Sequence, residues 1–207
     1  CALPISPAIY NLAKYDGNSI SIVANPDTGS GIMGSPIIYN NNLYFRYQNA
    51  NKTFQLAKYD GNSITLINNF NSTDNGVNDF NKSAIVYNGN LYFGYSTDNF
   101  SKPTLVRFDG TTMTKLPISN GNVGYNGSTF IYNSNLMLAG DQDVTNSHII
   151  PLVKFDGTNF TIYPNPSSGC CRYYIGGGIA YNSKMYYCYY EDLNRRLAVR
   201  SEEHTSE

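Results

Sequence analysis

The chain has 207 residues, of which 41% are hydrophobic and only 14% are charged, and its formal net charge is −1. No apolar run approaches the roughly 18 residues of a membrane-spanning helix, and no basic block marks a nucleic-acid-binding surface. The 19 Tyr and 10 Phe provide enough aromatic surface for a packed core, which excludes a disordered chain. The 28 Asn and 18 Gly predict many tight turns.

The two ends of the chain resemble a translated sequencing-library adapter. Residues 200–207 read Arg-Ser-Glu-Glu-His-Thr-Ser-Glu, as that oligonucleotide does in one frame, and residues 1–6 match a translation of its reverse complement. We therefore expect residues 1–6 and 200–207 to be adapter-derived artefacts, and residues 7–199 to be a piece of a longer repeat protein. The alternative is an ordinary start and an acidic tail.

One motif recurs as an apolar strand that enters an Asp-Gly turn. Its copies begin at Leu12, Leu56, Leu105 and Leu152, with an incomplete fifth copy at Leu197. The turns contain Asp16 and Gly17, Asp60 and Gly61, Asp109 and Gly110, and Asp156 and Gly157. Glycine permits the tight reversal of a β-hairpin, so we assign these eight residues a structural role.

A second motif, Tyr-Asn followed by an apolar and aromatic strand, alternates with the first. Its copies span residues 38–45, 86–93, 131–138 and 180–187. Together the two motifs predict four short antiparallel strands in each unit of about 47 residues, which is typical of a β-propeller blade. A β-sandwich is the alternative, although it does not explain a fixed order of two turn types.

The predicted fold class is therefore all-β, a partial β-propeller with three full blades and a half blade at each end. The full blades cover residues 36–67, 83–116 and 128–163, and the half blades lie near 9–23 and 178–199. We expect unpaired strand edges at the half blades, so that the chain alone is not a stable closed domain. Pairing of the two half blades into a fourth blade is the alternative.

The repeats resemble the Asp-Gly repeat propellers of secreted bacterial surface proteins. The segment Gly34-Ser-Pro-Ile-Ile-Tyr-Asn40 with Leu43-Tyr-Phe45 matches one half of that repeat, and the Asp-Gly turns match the other. The resemblance covers residues 9–199 and implies a β-propeller that is secreted or displayed at the cell surface. The Trp that usually stands before the turn is absent, and Ala or Val occupies that position at 13, 57, 106 and 153.

The loops at one end of the predicted blades are long and differ between copies, which favours a ligand-binding site there. The candidate ligand-binding residues are Asp74, Asp79, Asp98, Asp141, Asp143 and Asp192. Loops that vary for lack of constraint are the alternative. Residues 140–146 alternate Asp in the manner of a calcium loop, but the missing distal Glu favours a solvated loop over a calcium site, and no other cofactor is predicted.

Two further residue sets leave alternatives open. A basic residue stands two positions before each turn Asp, at Lys14, Lys58, Arg107 and Lys154. These residues form either a basic ring for an anionic ligand or exposed strand positions that make weak cross-strand pairs and discourage edge association. Cys171 and Cys188 are candidates for a disulfide in an oxidising compartment, with Cys170 as the other choice and free thiols as the alternative.

No catalytic residue is predicted, because the chain has no Gly-x-Ser-x-Gly motif and no metal-ligand spacing. We expect a non-catalytic extracellular domain that binds glycan or protein through the variable loops, or that serves as a scaffold. The remaining blades of the full-length chain are expected partners, whereas nucleic acid and membrane insertion are not expected. The alternative is a fragment of a propeller enzyme that acts on polysaccharide.

Overall fold

The computed structural model describes residues 8–98, 103–118, 123–144, 147–149, 151–163, 178–191 and 194–201. Strands make up nearly all of the regular structure, and the helix found among these residues is a single turn, α1 (Phe80–Ser83). The all-β fold predicted from the sequence is therefore confirmed. The chain divides into two compact units, Cys1–Asn81 with Tyr95–Ser101, and Lys82–Gly94 with Lys102–Glu207.

The first unit contains a two-stranded hairpin and a four-stranded antiparallel meander. The hairpin joins β1 (Leu12–Tyr15) to β2 (Ile20–Val23). In the meander, each strand pairs with the next, in the order β3 (Gly31–Tyr39), β4 (Asn42–Gln48), β5 (Phe54–Tyr59) and β6 (Ile64–Ile67). The short strand β7 (Gly76–Asn78) lies parallel to the start of β5.

Side chains on both faces of this meander are buried. Phe45 and Tyr47 point to one face of β4 and pack with Ala57 and Tyr59 of β5. Tyr44, on the opposite face of the same strand, is also buried. Aromatic and β-branched residues suit such a pleated surface, which explains why this composition forms strands rather than helices.

The second unit contains two further meanders and a three-stranded sheet. The first meander has the order β8 (Ile85–Tyr87), β9 (Asn90–Ser96), β10 (Thr104–Phe108) and β11 (Met113–Leu116), and the last two residues of β9 belong to the first unit. The second consists of β12 (Val123–Tyr132), β13 (Asn135–Val144), β14 (Ser147–Ile149), β15 (Leu152–Phe155) and β16 (Phe160–Tyr163). In it, β13 pairs with β12, β14 and β15. The last sheet has the order β17 (Ile179–Tyr181), β18 (Lys184–Glu191) and β19 (Asn194–Ser201).

The Tyr-Asn motifs close two-residue turns in the left-handed conformation. Both central residues have positive φ in the four pairs Asn40 and Asn41, Asn88 and Gly89, Asn133 and Ser134, and Asn182 and Ser183. Asn tolerates this conformation better than most residues, and the backbone twist of such a turn matches the twist of the flanking strands. Five of the 28 Asn of the chain therefore have a direct structural cause.

Tyrosine hydroxyls connect successive sheets of the second unit. Tyr87 on β8 donates to the carbonyl oxygen of Ser134 at 2.9 Å. One repeat later, Tyr132 on β12 donates to the carbonyl oxygen of Ser183 at 2.8 Å. In these two copies the tyrosine of the motif thus binds the turn of the following copy.

Candidate functional site

The Asp-Gly turns form exposed polar sites whose hydrogen bonds are all local. In each turn, Oδ1 of the Asp accepts the N–H groups of the residues two and three positions later, at 2.7–2.9 Å. These backbone hydrogen bonds lower the pKa of all four carboxyl groups from their ordinary value. The carboxylates are Asp16, Asp60, Asp109 and Asp156. We therefore assign them to turn stabilisation rather than to ligand binding.

The basic series of the sequence lies beside these turns. Lys58, Arg107 and Lys154 each contribute a favourable charge that further lowers the pKa of the Asp two residues later. Lys58 stands opposite Thr65 across the hairpin, and Lys154 stands opposite Thr161. These positions support the turns electrostatically, and the two alternatives drawn from the sequence both remain open.

At the opposite end of the first unit, a strand tyrosine holds an aspartate of the preceding loop. Tyr47 on β4 donates its hydroxyl to Oδ1 of Asp27 at 2.8 Å. The same carboxylate accepts the N–H of Gly29 at 2.8 Å and the N–H of Ala50 at 2.9 Å. Burial acts to raise the pKa of Asp27, but these three hydrogen bonds outweigh it and lower the pKa.

The same arrangement recurs one repeat later, in a more buried form. The hydroxyl of Tyr95 donates to Oδ2 of Asp74 at 2.8 Å and accepts the N–H of Phe70 at 3.1 Å. Asn71 donates its N–H to Oδ2 of Asp74 at 3.2 Å and its side-chain amide to Oδ1 at 3.3 Å. Asp74 is only 4% exposed. Although the sequence suggested Asp74 as a ligand-binding residue, here it holds the loop of residues 70–74 in place.

A cleft of about 400 Å³ opens between two of these loops, and we call it the amide cleft. Its lining residues all carry uncharged polar side chains, and they are Asn49, Asn51, Thr53, Gln55, Asn68, Asn69 and Ser72. They come from the β4–β5 connection, from Gln55 at the start of β5, and from the segment that follows β6. Both segments belong to the variable-loop end predicted from the sequence, although the residues themselves were not predicted.

One wall of the amide cleft is fixed by its own hydrogen bonds. Asn49 donates its side-chain amide to Oγ1 of Thr53 and to Oε1 of Gln55, both at 2.8 Å. Its Oδ1 accepts the N–H of Thr53 at 3.1 Å, and Gln55 donates to the carbonyl oxygen of Ile67 at 3.3 Å. Because these side chains are already held, a ligand would not have to order them.

The remaining lining residues present hydrogen-bonding groups that are not engaged within the described part of the chain. Asn51, Asn68 and Ser72 are exposed, and their side chains make no hydrogen bond to another described residue. Asn69 donates to the carbonyl oxygen of Asp74 at 3.4 Å, while its buried Oδ1 accepts no hydrogen bond there. The cleft therefore combines fixed amides with donors and acceptors available to a ligand.

Two other predicted residues lie in the first unit, outside the lining of the amide cleft. Asp79 is exposed and has a positive φ of 39°. Its charge partly offsets the burial that lowers the pKa of Arg46, whose guanidinium carbon lies 3.4 Å from the centroid of the Phe54 ring. Asp98 is exposed at the end of a described segment. Among the described residues, no group of three or more His, Cys, Asp or Glu side chains is arranged so that it could hold a metal ion.

The side chains of the other predicted site residues lie outside the described part of the chain. Cys171 and Asp192 lie outside the described residues, as do the side chains of Asp141, Asp143 and Cys188. The backbone of Asp141 and Asp143 belongs to β13, and Asp143 stands opposite His148 of β14. The segment predicted as a loop is therefore a β-hairpin, in which cross-strand pairing extends β13 beyond its expected end.

Within the described ranges, no helix combines the length and apolar character that crossing a membrane requires.

Comparison with known proteins gives limited similarity. No protein-family model matches the chain, and no curated protein sequence matches it. A solved structure of an α-L-arabinofuranosidase (CtGH43) from Clostridium thermocellum ATCC 27405 matches with a TM-score of 0.41 and 14% identity, covering 77% of this chain and 61% of that protein. At this level the similarity carries no argument about fold or activity.

Proposed function

We propose that this chain is part of an extracellular β-propeller that binds a neutral glycan, without catalysis, in the amide cleft of the first unit. The propeller assignment is supported by the four-stranded antiparallel meanders, which follow the repeat in the sequence. Secretion or display at the cell surface is part of the proposal and rests on the resemblance of the repeats.

The observation that carries the ligand class is the chemistry of the amide cleft. Its lining contains only amide and hydroxyl side chains. Amides offer a donor and an acceptor to each sugar hydroxyl. An anionic ligand would find no opposite charge among these residues, and a peptide would find no apolar pocket for an anchoring side chain. A neutral ligand rich in hydroxyl groups fits this lining best.

The binding test uses the full chain and a panel of soluble neutral oligosaccharides derived from glucan, mannan, xylan and arabinan. Isothermal titration calorimetry should detect binding of at least one member. Asn68→Ala and Ser72→Ala should each weaken that binding about fivefold, since one hydrogen bond contributes about 1 kcal/mol. Asn62→Ala is the matched control, because Asn62 is an exposed Asn of an Asp-Gly turn.

Three results would contradict the proposal: no binding to any oligosaccharide of the panel, equal affinity in the cleft variants, or a loss in Asn62→Ala of the same size. Release of reducing ends during incubation would instead support the alternative, a propeller enzyme acting on polysaccharide. In the first unit, Asp27 and Asp74 are both engaged by tyrosine hydroxyls and N–H groups, so a non-catalytic role is the better supported one.

A further inference from the structure

The hairpin β1–β2 has the same sequence as a hairpin that forms part of a complete meander in the same unit. Residues 12–20 and 56–64 are identical. The register is also the same, with Leu12 opposite Val23 in one copy and Leu56 opposite Ile67 in the other. Two residues before each copy, the backbone forms a parallel β-bridge with a glycine further along the chain. The bridges join Tyr10 to Gly31 and Phe54 to Gly76. The second copy therefore serves as an internal reference for the first.

The two identical segments differ sharply in burial. Tyr59 and Ile64 are each 8% exposed, whereas the equivalent Tyr15 and Ile20 are 68% and 74% exposed. Their sequence cannot explain this difference, because the nine residues are the same. The neighbours of the segment must therefore explain it. Tyr59 and Ile64 lie in one cluster with Phe45 and Tyr47 of β4, and the β1–β2 hairpin packs against that cluster through Leu12 and Val23.

One neighbour that β5 has, and that β1 lacks in the described structure, is a strand of the β4 type, meaning the strand that follows a Tyr-Asn turn. Along its full length β5 pairs with β4, from Phe54 opposite Gln48 to Tyr59 opposite Leu43. In the described structure β1 pairs with β2 alone, apart from the bridge at Tyr10. The other edge of β1 thus presents the same backbone groups that β5 uses to bind β4. Unpaired edges of this kind readily accept a further strand.

The strands of the β4 type in this chain are already paired on both sides. β4 lies between β3 and β5, and β9 lies between β8 and β10. β13 lies between β12 and β15, and β18 lies between β17 and β19. Within the described residues, a second copy of the chain therefore has no strand of this type to contribute without breaking one of its own sheets.

We propose that the outer edge of β1 is a strand-pairing site for a two-stranded hairpin of the same repeat type, supplied by a further repeat of this protein beyond residues 9–199. The register follows from the reference copy. A Leu of the incoming strand stands opposite Tyr15, a Tyr opposite Lys14, and a Phe opposite Ala13.

The test supplies the hairpin within the same chain. A duplicate of residues 31–53 is fused directly before Tyr10, so that the duplicated Thr53 precedes Tyr10 as the original precedes Phe54. Residue-resolved amide hydrogen exchange is measured on the original chain, on the fusion, and on a fusion with Tyr44→Pro in the duplicate. Proline removes a donor and disrupts the strand, so it provides a matched control.

The amides of Leu12–Tyr15 that correspond to those of β5 facing β4 should exchange at least about tenfold more slowly in the intact fusion. In the proline control, these amides should exchange at the same rate as in the original chain. In all three proteins, slow exchange of the amides of Leu56–Tyr59 shows that the first meander is folded. Equal exchange in both fusions would overturn the proposal. So would protection of β1 in the original chain, with a doubled mass in light scattering identifying a second copy as the occupant.

Discussion

Replacing Tyr95 by Phe should destabilise the first unit more than the equivalent replacement of Tyr47. Both changes remove one hydroxyl and leave the aromatic ring in place. The hydroxyl of Tyr95 donates to the buried carboxylate of Asp74 and also accepts the N–H of Phe70. The hydroxyl of Tyr47 donates to Asp27, which is less buried and keeps two backbone N–H donors.

The expected sizes follow from these contacts. A hydrogen bond to a buried charged group contributes about 2 kcal/mol, and a neutral one contributes about 1 kcal/mol. Tyr95→Phe should therefore lower the free energy of unfolding by about 3 kcal/mol. Tyr47→Phe loses a single hydrogen bond near solvent, which screens the charge, and should cost about 1.5 kcal/mol.

Equilibrium urea unfolding, followed by circular dichroism at equal protein concentration, measures both differences. The same Tyr95→Phe protein should bind the oligosaccharide of the glycan test more weakly, because Ser72 lies on the loop that Tyr95 holds and Asn69 donates to the carbonyl oxygen of Asp74 in that loop. A cost for Tyr95→Phe equal to or below that for Tyr47→Phe would refute the assignment of Asp74 to loop anchoring.

Gly76→Ala should lower the free energy of unfolding by about 3 kcal/mol, because a Cβ at this positive-φ position would overlap the carbonyl oxygen of Phe54. Gly61→Ala has a similar φ but open space around the Cβ, and urea unfolding should give about 1 kcal/mol. Asp27→Asn should lower stability at neutral pH, and the difference should disappear in acid. The folded-state pKa of Asp27 lies below its unfolded value of about 3.9, so its contribution is present above that pH and is lost as the pH falls through the folded-state pKa. Urea unfolding of wild type and Asp27→Asn from pH 7 to pH 2 checks this, and a difference that grows in acid would contradict it.

Much of the local structure could be predicted because its causes are local. An Asp carboxylate that caps the N–H groups two and three residues later acts within one turn, as at Asp60. An Asn pair with positive φ likewise needs only its own flanking strands, as at Asn40 and Asn41. Such features can be identified from short motifs, and their repetition gives the strand order.

The contacts between distant residues were missed. Asp27 lies 20 residues from Tyr47, and Asp74 lies 21 residues from Tyr95. That near-constant spacing in two copies was a signal that could have indicated a buried pair rather than two exposed carboxylates. The amide cleft offered no such signal, because its Asn residues do not stand out in a chain where Asn also forms the turns.

The tyrosine contacts between successive sheets also bear on how such a protein changes in evolution. Tyr87 and Tyr132 supply a donor, while Ser134 and Ser183 supply only a main-chain oxygen. Each repeat of this kind therefore contains both the donor tyrosine and the acceptor turn of the hydrogen bond between successive sheets. Duplication of one unit at the gene level creates a further hydrogen bond of this kind without any other mutation. Because the acceptor belongs to the backbone, substitutions that keep the left-handed conformation of the turn leave this hydrogen bond intact. Arrays of this kind can gain or lose members while each remaining junction stays the same.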